Sequence, residues 1–314
     1  MLGRTLAPLG LRFLAFLVDS LVLGTLGVLS GFVLFDVYAG LGAWGRLLGF
    51  CIALAYFASM NSSLGEGRTL GKRLLGIEVV DGQGHYLSPA LAGLRFCVLG
   101  APFFLNGFWL KSGGHLLLLA QLVSFVVMGG TGILGYLFLF NRPSHRSLHD
   151  MASGSYVTRA GGTGPIGAPP LWPGHMVILA VLGLGLGGIL SAVPLLLKFP
   201  MLADVLALHD RLEASRDVAS VSVMSTVNVT YSNGAKTSAS SLVIEARMRH
   251  HPADYETQAR GLAAQVLADY PAVKSKDLLV VRVVYGYDIG IAHSWIEHSY
   301  QRSPGEWASL GTPR

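Results

Sequence analysis

Apolar residues run almost unbroken from Pro8 to Asp36, and four more such stretches follow. Segments near 9–34, 41–61, 89–110, 115–140 and 175–198 each reach the about 20 residues that a helix needs to cross a bilayer. Only Lys111-Ser-Gly-Gly-His115 separates the third from the fourth, and Gly129, Gly130 and Gly132 interrupt the fourth. A tight helical hairpin and a broken or re-entrant pair both fit that pattern. The loop 62–88 is too polar to span. Its two short apolar runs flank Asp81-Gly-Gln-Gly84, a β-hairpin-type turn signal. Ser88 and Pro89 then open the third helix, serine as N-cap and proline at the first helical position.

Beyond Lys198 the period changes. Residues 201–216 form an amphipathic helix, and 218–231 and 237–248 alternate as strands around an Asn233-Gly234 turn. Residues 254–268 return to a helical period between Pro252 and Pro271, and 278–295 supply a strand and a second hairpin arm. The order α-β-β-α-β(-β) predicts helices on one face of an antiparallel sheet. The fold class expected is an all-α polytopic membrane helical bundle of about five transmembrane helices, followed by a small soluble α+β domain. Its parts are a four-span domain over 1–160, a Gly/Pro linker over 161–174, a fifth transmembrane helix over 175–199 and a soluble domain over 200–314.

Composition agrees with the pattern: 52% hydrophobic, 13% charged and a mean hydropathy of +0.52 fit an integral membrane protein. Residues 1–199 hold 12 Lys/Arg against 6 Asp/Glu, whereas 200–314 hold 11 against 12, so the +5 net charge is +6 on one half and −1 on the other. The excess lies in short loops, which points to loop placement at a membrane and not to nucleic acid. Arg4, Arg68, Lys72, Arg73, Arg142, Arg146 and Arg159 fall on one side of the spans; Arg46, Lys111 and Lys198 fall on the other. Positive-inside placement then predicts the plasma (inner) membrane with a cytoplasmic N-terminus and an extracytoplasmic tail. Cys51 and Cys97 lie in apolar stretches as small hydrophobes. The first span is too long for a signal-peptide core and lacks a cleavage-type flank, so no cleavable leader is expected.

The first span carries Arg12 and Asp19. A charge at membrane depth costs at least ~2.5 kcal/mol on insertion scales, so each needs a partner or a polar cavity. Seven residues is nearly two turns, which puts both on one face about 10 Å apart, too far for a direct pair. From helical rise, Asp19 and Arg95 reach comparable depth on different helices and form the expected pair, leaving shallow Arg12 to Asp150. Inter-helix staples and an ion or proton path are the two readings of such charges.

These residues also carry a resemblance. Arg12 and Asp19 are followed by Thr69-Leu-Gly-Lys-Arg-Leu-Leu-Gly-Ile-Glu-Val-Val-Asp81, then Gly84 and Arg95, and the fourth span ends in Asn141-Arg-Pro-Ser-His-Arg-Ser-Leu-His149-Asp150. Over roughly residues 5–160 the chain resembles the RDD family of bacterial membrane proteins, named for an arginine and two aspartates. Carried over, those are Arg12, Asp19 and Asp150. Leu70 stands where many relatives have proline. The resemblance implies a multi-pass architecture and, for some members, exchange of monovalent cations for protons.

Other motifs are weaker. Gly65 to Arg73 is no phosphate loop, because Glu66 stands where its first glycine belongs and Arg73 where its Ser or Thr belongs. Gly71, Lys72 and Arg73 read instead as a basic interfacial element near lipid headgroups. His145 and His149 would share a face only on a helix, so a metal is not expected; His149 is a polar or proton-titrating neighbour of Asp150. No catalytic constellation and no cofactor motif is found, so neither an enzyme nor a cofactor is expected. Two functions remain. One is transport-related passage of protons, monovalent cations or small solutes, with Arg12, Asp19, Asp150 and Arg95 as a charge relay. The other is a non-transporting adaptor or envelope assembly factor whose tail binds an extracytoplasmic protein partner.

Overall fold

The computed structural model describes residues 4–107, 117–142, 144–196, 199–232 and 235–311. The Lys111–His115 loop, Pro143, Lys198 and the Asn233-Gly234 turn lie outside the described residues. The chain forms two compact units, one of residues 1–33, 43–192 and 288–293, the other of 34–42, 193–287 and 294–314.

Helix α1 (Leu9–Leu41), in the first unit as far as Val33, departs from helical geometry at Leu34, and α2 (Gly45–Met60) of the first unit follows one short 3-10 turn later. A five-residue helix α3 (Leu70–Leu74) precedes strand β1 (Ile77–Asp81). Helix α4 (Pro89–Leu105) starts at Ser88, whose side chain accepts from the Leu91 amide, and it contains Pro102. Helix α5 (Leu117–Phe140), the short α6 (Leu148–Ala152) and strand β2 (Ser155–Arg159) complete the segment. Helix α7 (Pro173–Leu196) bonds to α5 through Gln121 Nε2 to the Leu190 carbonyl at 3.0 Å and through Tyr136 Oη and His175 Nδ1 at 2.9 Å.

Among the described residues, three runs are long and apolar enough to cross a membrane: Leu9–Met60, Leu117–Phe140 and Pro173–Leu196. The first contains both of the first two expected spans, bent near Leu34. The apolar α4, at 17 described residues, is shorter. Their outer faces carry Leu21, Phe32, Val33 and Leu184 largely exposed, a surface that water would not tolerate over such an extent.

The turn expected at Asp81 to Gly84 forms, but β1 finds its strand partner elsewhere. Asp81 does turn, with its Oδ1 accepting from the Gln83 and His85 amides. But β1 pairs antiparallel with β2, Ile77 opposite Arg159 and Asp81 opposite Ser155. The chain start joins the other edge of β2, since the Ala7 amide donates to the Val157 carbonyl and the Arg159 amide to the Thr5 carbonyl, each at 2.9 Å. Ile77, Val79, Leu87, Ala92 and Val157 are buried together with Ala7 and Ala15. Residues 155–159 alternate too briefly to announce a strand when their partner lies over 70 residues away; tertiary pairing decides it.

In the second unit, α8 (Pro200–Glu213) leads into β3 (Val218–Ser232) and β4 (Ala235–Met248), which pair antiparallel. Helix α9 (Tyr255–Asp269), capped by Asp254, returns the chain to β5 (Leu278–Asp288), and β6 (His293–Arg302) and α10 (Pro304–Ser309) follow. The strand order is β3-β4-β5-β6. The antiparallel expectation fails at one place. Strands β4 and β5 run parallel, with Leu242 opposite Leu279 and Ile244 opposite Val281. A parallel pair needs a crossover rather than a hairpin, and α9 is that crossover. Leu208, Leu212, Ile244, Val266, Val281 and Trp307 are buried.

Candidate functional site

Four elements of the first unit bring its buried charges together: α1 carries Arg12 and Asp19, α3 carries Lys72, α4 carries Arg95 and α6 carries Asp150. All are buried, Asp19 and Asp150 completely.

Asp150 is the centre of one group. Its Oδ2 accepts from the Arg12 guanidinium and, at 3.2 Å, from the Ser147 amide. Its Oδ1 accepts from Arg95 Nη2 at 2.6 Å and Nε at 3.1 Å. Arg12 also donates to the His145 carbonyl, and Arg95 Nε reaches Ser155 Oγ at 3.2 Å. Burial pushes the Asp150 carboxyl up, but the Arg12 and Arg95 guanidinium groups hold it well below the usual carboxylate range. Two guanidinium groups on one ionised carboxylate make a geometrically specific, charge-assisted node.

Asp19 makes the other group, without a cation in ion-pair contact among the described residues. Its Oδ1 accepts from Tyr56 Oη at 2.7 Å and the Gly71 amide at 2.8 Å, and its Oδ2 from Thr69 Oγ1 at 2.6 Å. The expected Asp19–Arg95 pair is therefore not formed; Arg95 turns to Asp150. Helical rise fixes how deep a residue lies but not which neighbour its face meets. Gly71 lets α3 lie directly on α1, because a Cβ there would run into the backbone carbonyl of Ala15.

Lys72 corrects a second expectation. Instead of sitting at an interface, it is 8% exposed, and its ammonium donates to Thr69 Oγ1 at 3.4 Å. Burial, with help from Arg95 and Arg12, lowers its pKa to about 7 against the pull of Asp19 and Asp150. Arg73, by contrast, is exposed and donates to the carbonyls of Arg68 and Gly65, each at 3.3 Å.

His149 lies beside Asp150, with Nε2 3.4 Å from Oδ1. Burial pushes its pKa down to about 3, Asp150 opposing and the cations adding, so its imidazole is neutral near pH 7 and does not titrate there. His145 sits before α6 at φ +51°, so it shares no helix face with His149. Among the described residues no cluster of three metal-type ligands occurs.

Several partners were not singled out from sequence. Tyr56 and Thr69 hold Asp19, and Arg4 ion-pairs with the buried Glu78 of β1 while donating to the Gly84 carbonyl at 2.9 Å. A threonine just before a short helix is a cap signal, and Thr69 does cap α3. A glutamate inside an apolar strand was the available sign for Arg4–Glu78.

A cavity of about 290 Å³ opens among these residues, lined by Arg12, Lys72 and Arg95 together with Phe13, Phe16 and Phe138, and the Arg12 guanidinium lies over the Phe138 ring. Arg12 and Asp150 thus meet in one buried group, and Asp19 stands in the other. Residues 6–154 match the model of the RDD family. The RDD match takes in α1 to α6 and stops just short of β2, leaving α7 to α10 and β2 to β6 outside it. It accords with an RDD family protein, and with the apolar helices it supports a membrane protein. No similar chain is found among curated proteins, and none among solved structures.

Proposed function

We propose that the protein is a multi-pass plasma-membrane protein with a transport-related role, in which protons or small monovalent cations are handled by the RDD cluster. The observation that carries this is a continuous chain from the cavity into α1 and α2. Lys72 Nζ donates to Thr69 Oγ1, Thr69 to Asp19, and Tyr56 Oη to the other Asp19 oxygen, over 3.4, 2.6 and 2.7 Å. Such a row of exchangeable groups, ending at a cavity, is what a proton relay needs. Arg12, Arg95 and Asp150 hold the surrounding helices in register.

The topology that goes with this reading has five spans, a cytoplasmic N-terminus and an extracytoplasmic tail. Arg4, Arg73, Arg146 and Arg159 gather around β1, β2 and α3, the cytoplasmic side of this scheme. Within the first unit Arg46, at the other end of α2, is neutralised by Asp288 at 2.7 Å.

Asp19→Asn preserves the side chain's shape and one accepting oxygen for Tyr56 and the Gly71 amide, and its NH2 can donate to a turned Thr69 hydroxyl, so the protein should fold and insert while proton-coupled flux in proteoliposomes falls to background. Lys72 is neutral above about pH 7 and charged below it, so the unaltered protein's flux should change through that pH. Lys72→Arg keeps the charge permanently and should flatten the profile. Flux unchanged by Asp19→Asn ends this reading.

The second reading, a membrane adaptor whose tail binds an extracytoplasmic protein, draws on the sheet of the second unit. Ser222, Met224, Thr226, Val243 and Arg282 line a hollow on one face of that sheet. Replacing Met224 and Val243 in that hollow by Arg, which leaves residues 288–293 of the first unit in place, separates the two. Loss of a crosslinked partner with flux intact favours the adaptor; loss of neither removes it.

A further inference from the structure

The charges around the cavity do not balance. Arg12, Arg95 and Lys72 bring three cations, and Asp150 and Asp19 two carboxylates, with Arg4 and Glu78 already paired to each other. Asp150 takes both guanidinium groups, and Asp19 is filled by neutral donors. Lys72 is left more than nine-tenths buried on the cavity wall with one long bond to a hydroxyl. Three buried cations against two carboxylates leave one positive charge over, and Lys72 meets Asp19 only through Thr69, so the site calls for an anion.

Two of the residues that line the cavity also carry an unsatisfied acceptor. Among the described residues, Asn61 Oδ1 and His149 Nδ1 are buried without hydrogen-bond partners, and both residues line the cavity. With the His149 proton on Nε2, toward Asp150, its Nδ1 is an acceptor. Two orphan acceptors ask for donors such as hydroxyls, beside a cation that asks for a negative group. Finally, Phe13 and Phe16 on the apolar wall are 52% and 43% exposed, so the cavity borders an apolar outer surface. A soluble anion has no reason to meet such a border; an amphiphile does.

We propose that this cavity binds the headgroup of an anionic phospholipid whose phosphodiester meets Lys72 and whose headgroup hydroxyls meet Asn61 and His149. The beginning of an acyl chain lies along Phe13, Phe16 and Phe138. Arg12 and Arg95 add long-range attraction without giving up Asp150. The site goes beyond the transport reading and does not depend on it: lipid retention and ion flux are separate measurements, and either can fail alone.

The full chain in detergent, titrated with short-chain phosphatidylglycerol, phosphatidylcholine of equal chain length or glycerol phosphate, tests this by native mass spectrometry. Phosphatidylglycerol should be retained over phosphatidylcholine, and glycerol phosphate should not displace it at equal concentration. Lys72→Met should weaken retention about fivefold to tenfold, the value of one lysine at an anionic lipid, while Lys72→Arg and the exposed Arg73→Met keep it. Equal retention of the two lipids by the unaltered chain overturns the proposal without any variant. Displacement by glycerol phosphate identifies a soluble-anion site instead and also overturns it. An equal loss in Arg73→Met shows surface attraction only, with the same consequence.

Discussion

Asp150→Ala is expected to destabilise the protein by about 3–5 kcal/mol, the cost of leaving buried charges without their partner. The carboxylate is completely buried and is shared by Arg12 and Arg95, so its removal strands two cations at once. Thermal unfolding of the full chain in detergent reads the loss as a lowered midpoint. Arg95→Met gives the comparison. It leaves Arg12 on Asp150 and should cost less, on the order of 1–3 kcal/mol for the lost charged hydrogen bonds. Equal losses in the two variants would mean that Asp150 is not the shared centre.

Asp19→Ala comes second, at about 2–4 kcal/mol, because it orphans buried donors rather than charges. Tyr56 Oη, Thr69 Oγ1 and the Gly71 amide all lose their acceptor. Two of the three belong to the segment around α3, so the loss should be local as well as global. Trypsin should cut after the exposed Arg73 faster than in the unaltered protein, while Asp19→Asn stays close to normal. An unchanged cleavage rate and midpoint in Asp19→Ala would show that this carboxylate does not hold α3 to α1.

Much of this was legible in the sequence, and the gaps have a common cause. Runs of apolar residues and their breaks announce α1, α2, α5 and α7, since hydropathy depends only on neighbours along the chain. Asp254 and Pro271 likewise bracket α9. The pairing of Arg12 with Asp150 follows from both lying on the same side of the apolar spans, one at the start of α1 and the other just past the end of α5. What depends on azimuth or on distant pairing was not legible. Arg95 was assigned to Asp19 because depth matched, yet its side chain faces α6. The Lys72-Arg73 pair looked uniform along the chain, but adjacent helical residues point about 100° apart, and one is buried while the other is exposed. The parallel β4–β5 pair and the β1–β2 pair are both partnerships between segments that local pattern cannot relate.

The junction of β1 with β2 also sets an order of events during synthesis. Residues 77–81 leave the ribosome long before residues 155–159, and so does the Thr5–Ala7 edge that β2 completes. Both earlier segments wait, with open backbone groups, until the translated chain has grown past Arg159. The same stretch delivers Asp150, so Arg12 and Arg95 stay without their common counter-ion until that moment. A nascent chain arrested before residue 150 should therefore hold its apolar helices loosely associated, and the final few residues of the RDD match act as the latch that closes them.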